Sequence, residues 1–109
     1  MTVYIVTVSF NSHRCLQRLR RTLREHTIPS YAWAICDNGS TRQDTARELE
    51  AIEMAGEATV VRTGKNLWFT RGCNLGIQAL ANVPEGQVLL FNPDCAVGPG
   101  WLEEMLETA

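Results

Sequence analysis

Val3 to Ser9 is a short apolar, β-branched run, the pattern of a strand covered on both faces. The spacing then turns helical. Cys15, Leu16, Leu19 and Leu23 share one side, and Arg14, Arg18, Arg20, Arg21 and Arg24 fill the remaining arc as a solvated face. Asn11 or Ser12 is placed to cap this helix, and Ile28-Pro29-Ser30 to end it. Tyr31 to Cys36 reads as a second strand, followed by the turn Asp37-Asn38-Gly39-Ser40. Ser40 and Gln43 fit a capping box for a helix that turns Ala46, Leu49 and Ile52 inward and ends at Gly56. Ala58 to Arg62 is a third strand. After the loop Gly64-Lys65-Asn66, Thr70 is expected to cap a helix reaching about Leu80, with Cys73, Ile77 and Leu80 on one side. Gly72 and Gly76 weaken that helix by about 1 kcal/mol each relative to alanine, so their presence predicts close backbone approach. Val88 to Phe91 is a fourth strand, and Pro99 to Leu106 a last helix. Strand and helix alternate without repeats or low-complexity linkers, which predicts an α/β three-layer sandwich with a mainly parallel, Rossmann-like sheet.

The chain has 109 residues, 45% of them hydrophobic, so residues 1–109 are expected to form one domain with a real core. Ten Lys and Arg against twelve Asp and Glu leave a formal charge of -2, and no broad positive field is present to attract nucleic acid. Cys15, Cys36, Cys73 and Cys95 form no C-x-x-C pair, and two histidines complete no standard zinc spacing. Buried thiols are expected. The N-terminus carries no basic leader, and Asn11 and His13 interrupt its apolar run, so neither a signal peptide nor a membrane span is predicted and a cytoplasmic location is expected.

In an open parallel sheet, ligands gather at the carboxyl ends of the strands. The loops that fall there are Phe10-Asn11-Ser12, Asp37 to Ser40, Thr63 to Arg71 and Asn92-Pro93-Asp94. Asp37 is placed to accept from a nucleobase N–H or a ribose hydroxyl. Asp94 offers hard carboxylate oxygen to Mg or Mn against a diphosphate, and Arg71 charge-assisted bonds to the same phosphates. There is no G-x-G-x-x-G after the first strand, and Gly64-Lys65 lacks the upstream glycine of a P-loop, which removes dehydrogenase and P-loop kinase readings.

Val6-Thr7-Val8-Ser9-Phe10-Asn11, Asp37-Asn38-Gly39-Ser40-Thr41, Asn66-Leu67 with Phe69 and Arg71-Gly72-Cys73-Asn74-Leu75-Gly76, and Leu89-Leu90-Phe91-Asn92-Pro93-Asp94 resemble family 2 glycosyltransferases in order and spacing. The resemblance runs to Trp101-Leu102 and implies the nucleotide-sugar-binding part of a GT-A fold, truncated before the acceptor-binding half. It implies a nucleoside-diphosphate sugar as ligand, transfer with inversion, and a divalent metal, Mg or Mn, as cofactor. Donor-binding residues are then Ser9, Asn11, Asp37, Asn38, Asn66, Arg71 and Asn74, with Asp94 as the metal ligand. Asn92-Pro93-Asp94 is most similar to rhamnosyltransferase-like members, which points to a dTDP-sugar. Two departures stand out: Trp68 occupies a position where the family usually has glycine, and no residue matches the catalytic base. The alternative function is a non-catalytic nucleotide-binding or assembly protein derived from a glycosyltransferase. The fourth strand, as an edge, and the aromatics Trp68, Phe69 and Trp101 predict a homo-oligomer, with a homodimer as the simplest form.

Overall fold

A computed structural model describes residues 3–27, 31–80 and 87–108. The elements are β1 (Val3–Ser9), α1 (His13–His26), β2 (Tyr31–Asp37), α2 (Gln43–Met54), β3 (Thr59–Arg62), α3 (Trp68–Ala79), β4 (Gln87–Leu90) and α4 (Trp101–Thr108). The sheet order is β3-β2-β1-β4, and every pairing is parallel. The two longest apolar runs, β1 and β2, take the centre, where both faces are covered.

Alternation along the strands sorts their side chains between two helical layers. Val3, Ile5, Trp33 and Ile35 pack with Leu16, Leu19 and Leu23 of α1, Leu49 and Ile52 of α2, and Leu102 of α4. The opposite face, carrying Val6 and Val8, meets α3. Here the two helical glycines act as predicted. A Cβ built on Gly76 would lie 2.6 Å from Cγ1 of Val6, and one built on Gly72 would lie 3.1 Å from Cγ1 of Val8. Glycine at these positions lets α3 sit low on the sheet.

The helix starts differ from the sequence expectations. Ser40 does not cap α2; its hydroxyl bonds Asp37, and the N-cap position falls to Arg42. The later start makes Thr45, Leu49 and Ile52 the inward set, and Ala46 is exposed. Thr70 does not cap α3, which begins two residues earlier at Trp68, where the Asn66 side chain accepts from the Trp68 amide at 2.8 Å. Ser12 takes the N-cap position of α1 without a side-chain cap bond, since its hydroxyl donates to the Phe10 carbonyl. The α1 C-cap is Thr27, and the expected Ile28-Pro29-Ser30 stop lies outside the described residues.

The arginine arc of α1 is not wholly solvated. Arg20 bonds Glu57 at 2.6 Å and Glu48 at 3.2 Å, and Arg24 also reaches Glu57. These guanidinium bonds hold the Glu57 carboxyl below its usual range and raise Arg20. Arg18 donates to the backbone carbonyl of Asp94 at 2.7 Å. The segment after β4 continues along α1: the Val97 amide bonds the Thr22 hydroxyl and the Trp101 indole bonds Thr27. α4 is thereby brought to the C-terminal part of α1.

Candidate functional site

The parallel register aligns Ser9 with Asp37 and Asp37 with Arg62, so the ends of β1, β2 and β3 form one edge. Three loops leave this edge and bond to one another. Ser40 turns back so that its hydroxyl and its amide both reach the Asp37 carboxylate, the amide at 3.1 Å. The Asn11 amide donates to the Ser40 hydroxyl at 2.7 Å, and the Asn11 side-chain carbonyl accepts from the amides of Thr41 and Arg42 at 2.9 and 3.0 Å. Asn11 therefore ties the first loop to the segment that leads into α2. It does so at φ +48, in the left-handed region that asparagine tolerates better than most residues.

Asn38 links this edge to α3. Its amide bonds the Ser9 carbonyl at 2.8 Å, and its side-chain amide donates to the Trp68 carbonyl at 3.0 Å while the oxygen accepts from Leu67. Gly39 at φ +80 brings the turn against Lys65, where an added Cβ would lie 2.8 Å from a backbone atom. Asp37 and Asn38 are buried, and Ser9 is buried with the one buried side-chain polar atom among the described residues that has no partner. A buried hydroxyl without a partner is costly, and a bound water or ligand atom satisfies it.

A cavity of about 260 Å³ opens beside these loops, lined by Asp37, Gly39, Ser40, Thr41, Leu49, Arg62 and Gly64 among others. Each Asp37 oxygen retains acceptor capacity after its bond to Ser40. An apolar floor from Leu49 and an acceptor at the rim suit a flat heterocycle with N–H donors. A larger hollow of about 520 Å³ lies between Phe91, Cys95, Val97 and Trp101, away from these strand-end groups. Volume alone does not make it the site, because the converging polar groups are elsewhere.

The expected donor residues thus fall into two groups. Ser9, Asn11, Asp37 and Asn38 are joined through the interlocked loops, with Asn66 adjoining at the start of α3. Asn11 and Asn38 spend much of their bonding capacity on the protein itself. Arg71 and Asn74 are exposed and line a separate hollow of about 270 Å³ on the flank of α3 with Leu67, Leu75 and Gln78. Asp94 is exposed on the loop after β4, its carbonyl held by Arg18 and its carboxylate without a partner among the described residues. No group of three potential metal-ligating side chains occurs among the described residues. Sequence reasoning missed Arg62 and Thr41 as cavity residues. Arg62 reaches the site because β3 pairs beside β2, which no local signal reveals.

Trp68 is, with Asn11, one of two non-glycine residues with positive φ among the described residues, at +65, and it is 74% exposed. Holding a tryptophan in this region costs on the order of 1–3 kcal/mol. The backbone requirement matches the glycine that the resemblance leads one to expect at this position.

The fold is shared with solved structures. Structures of residues 1–349 of S. aureus TarS match with a TM-score of 0.77 and 21% identity over 98% of this chain and 32% of that one. The TarS complex with UDP-GlcNAc matches at 0.79 with 20% identity, covering 98% of this chain and 30% of that chain, and the complex with UDP at 0.78 with 20%, covering 98% and 31%. The chain spans about a third of the length of these structures. No curated protein matches it. The family model for glycosyl transferase family 2 matches residues 4–109, nearly the whole chain, and the protein belongs to that family.

Proposed function

We propose that residues 1–109 form one donor-binding domain for a nucleoside-diphosphate sugar, serving inverting glycosyl transfer. The observation that carries this reading is the buried Asp37 carboxylate, fixed by Ser40 at the mouth of a strand-end cavity of about 260 Å³. Asp37 accepts from the base or the ribose, Ser9 offers its unpartnered hydroxyl, and Arg71 supplies positive charge toward the diphosphate. An acceptor hydroxyl attacks the anomeric carbon from the face opposite the departing diphosphate, with inversion. No described residue is assigned as its base. Titration calorimetry with UDP, dTDP and GDP tests the reading; micromolar binding of at least one is expected, and binding of none sinks it. The match to TarS complexes with UDP and UDP-GlcNAc supports a nucleoside-diphosphate sugar as ligand class.

Asp94 fits a metal only as one arm of a shell. Its carboxylate is hard and exposed, but it belongs to no group of three potential metal-ligating side chains among the described residues. Asp94 would hold Mg or Mn there, and the ion would supply charge neutralisation to the diphosphate. Manganese is expected to tighten diphosphate binding about 10-fold over EDTA in the wild type and to have little effect in Asp94→Ala. Equal affinity in manganese and in EDTA for the wild type removes Asp94 from this role.

We also propose self-association through β4. Among the described residues this strand pairs only with β1, and Val88 and Leu90 stand exposed on its surface. Trp101 does not belong to the uncovered patch, because its ring packs on Phe91 at 5.3 Å and its N–H bonds Thr27. Light scattering at high micromolar concentration is expected to give a dimer, and a monomer there would exclude it. A cytoplasmic location accords with four free thiols and with the absence, among the described residues, of any helix long and apolar enough to cross a membrane.

A further inference from the structure

Trp68 is fixed at its root and free at its ring. The Asn66 side chain accepts from its amide at 2.8 Å, and the Asn38 side chain donates to its carbonyl at 3.0 Å. Asn38 is itself buried and bonded to Ser9, so the Trp68 backbone is tied to the strand end next to Asp37. The conformation at φ +65 favours glycine, and a side chain placed there is opposed by its own backbone. Burial among the described residues does not offset this, since Trp68 is 74% exposed. Neither backbone preference nor packing among the described residues accounts for a tryptophan at this start of α3.

Asp37 and Asn38 are neighbours whose side chains serve opposite faces of the sheet. Asp37 lines the cavity that α2 borders, whereas Asn38 reaches α3. A nucleoside seated at Asp37 therefore occupies the α2 side. Trp68 approaches from the α3 side, on the same helix start as Arg71, to which the diphosphate is assigned. The part of a nucleotide sugar that lies beyond the diphosphate is the sugar, and its C–H face is apolar. A flat indole with one N–H donor complements such a ring better than it complements phosphate.

Resting on the donor-site reading above, we propose that Trp68 is a specificity-determining residue whose indole stacks on the sugar ring of the bound nucleoside-diphosphate sugar. The sugar thereby adds affinity that the free diphosphate lacks, and the type of sugar is read by the fit of its C–H face against the ring.

Calorimetry on the wild type, Trp68→Gly and Trp68→Ala tests this with UDP-GlcNAc, UDP-glucose, UDP-galactose and dTDP-rhamnose, each beside its free diphosphate. For the best-bound nucleotide sugar, both variants are expected to lose about 10-fold in affinity while the free diphosphate changes less than twofold. Trp68→Gly relieves the positive φ and Trp68→Ala retains it, so agreement between them assigns the loss to the ring. The expected melting temperature of Trp68→Gly is equal to or above that of the wild type. Unchanged affinity for the nucleotide sugar overturns the proposal, as does an equal loss for sugar and free diphosphate, which would place the base or phosphate against the ring. Wild type that binds none of the diphosphates overturns the donor-site reading together with this one, whereas diphosphate binding indifferent to Trp68 overturns this one alone.

Discussion

Asp37→Asn is expected to weaken binding of the preferred nucleoside diphosphate by about 10- to 100-fold, the range for losing a hydrogen bond to a charged group. The buried position of Asp37 decides the choice of variant. Its carboxylate accepts from both the amide and the hydroxyl of Ser40, so alanine would strip two partners from the turn as well as the ligand contact. Alanine would therefore disturb folding as well as binding at a residue only 6% exposed. Asparagine keeps the shape. Its oxygen still accepts from the Ser40 amide and its NH₂ donates to the Ser40 hydroxyl, but it presents a donor where the ligand expects a second acceptor. Calorimetric affinity is the readout, with the melting temperature of the same preparation as control. A variant that melts like the wild type and binds with unchanged affinity would show that Asp37 holds the turn and nothing else.

Gly76→Ala is expected to destabilise the fold by about 1–3 kcal/mol, and the sign of this change is its diagnostic value. On helix propensity alone, alanine should stabilise α3 by about 1 kcal/mol. Tertiary contact reverses this, because the new Cβ would lie 2.6 Å from Cγ1 of Val6. Val6 is 1% exposed in a central strand, and its branched side chain has little rotamer freedom with which to move away. Either the helix lifts from the sheet or the strand bends. The same lift would displace Trp68 and the Asn38 bond at the start of α3, so weaker diphosphate binding is expected alongside lower stability. Urea unfolding of the two proteins gives the difference directly, and an alanine variant as stable as the wild type would refute the close-packed account of α3.

What the sequence determined by itself was the order and type of elements and the edge at which function lies. A continuous β-branched run such as Val3–Ser9 can bury both faces only as a central strand, and the leucines of α1 leave one face to pack, so local chemistry had a single outcome at each. The turn glycine Gly39 and the helical glycines Gly72 and Gly76 were legible for the same reason: each is unfavourable or unneeded unless the backbone must bend or come close. Helix starts were less legible, because capping is a competition for donors. Ser40 had the right neighbour in Gln43, but the buried Asp37 carboxylate offers its hydroxyl a charged acceptor, and α2 starts at Gln43 without a side-chain cap.

Only the tertiary structure decided which polar residues act together. Asn11 and Ser40 meet across 29 positions of chain, and Arg62 joins the cavity through strand pairing, neither of which has a local signature. The same holds for the bond from Arg18 to the Asp94 carbonyl, which ties the loop after β4 to α1. For Trp68 the sequence showed a large residue in a glycine position, but not that its backbone is held at positive φ while its ring faces solvent. That distinction depends on where Asn38 and Asn66 place their amides, since hydrogen bonds between distant loops fix a conformation that local preference opposes.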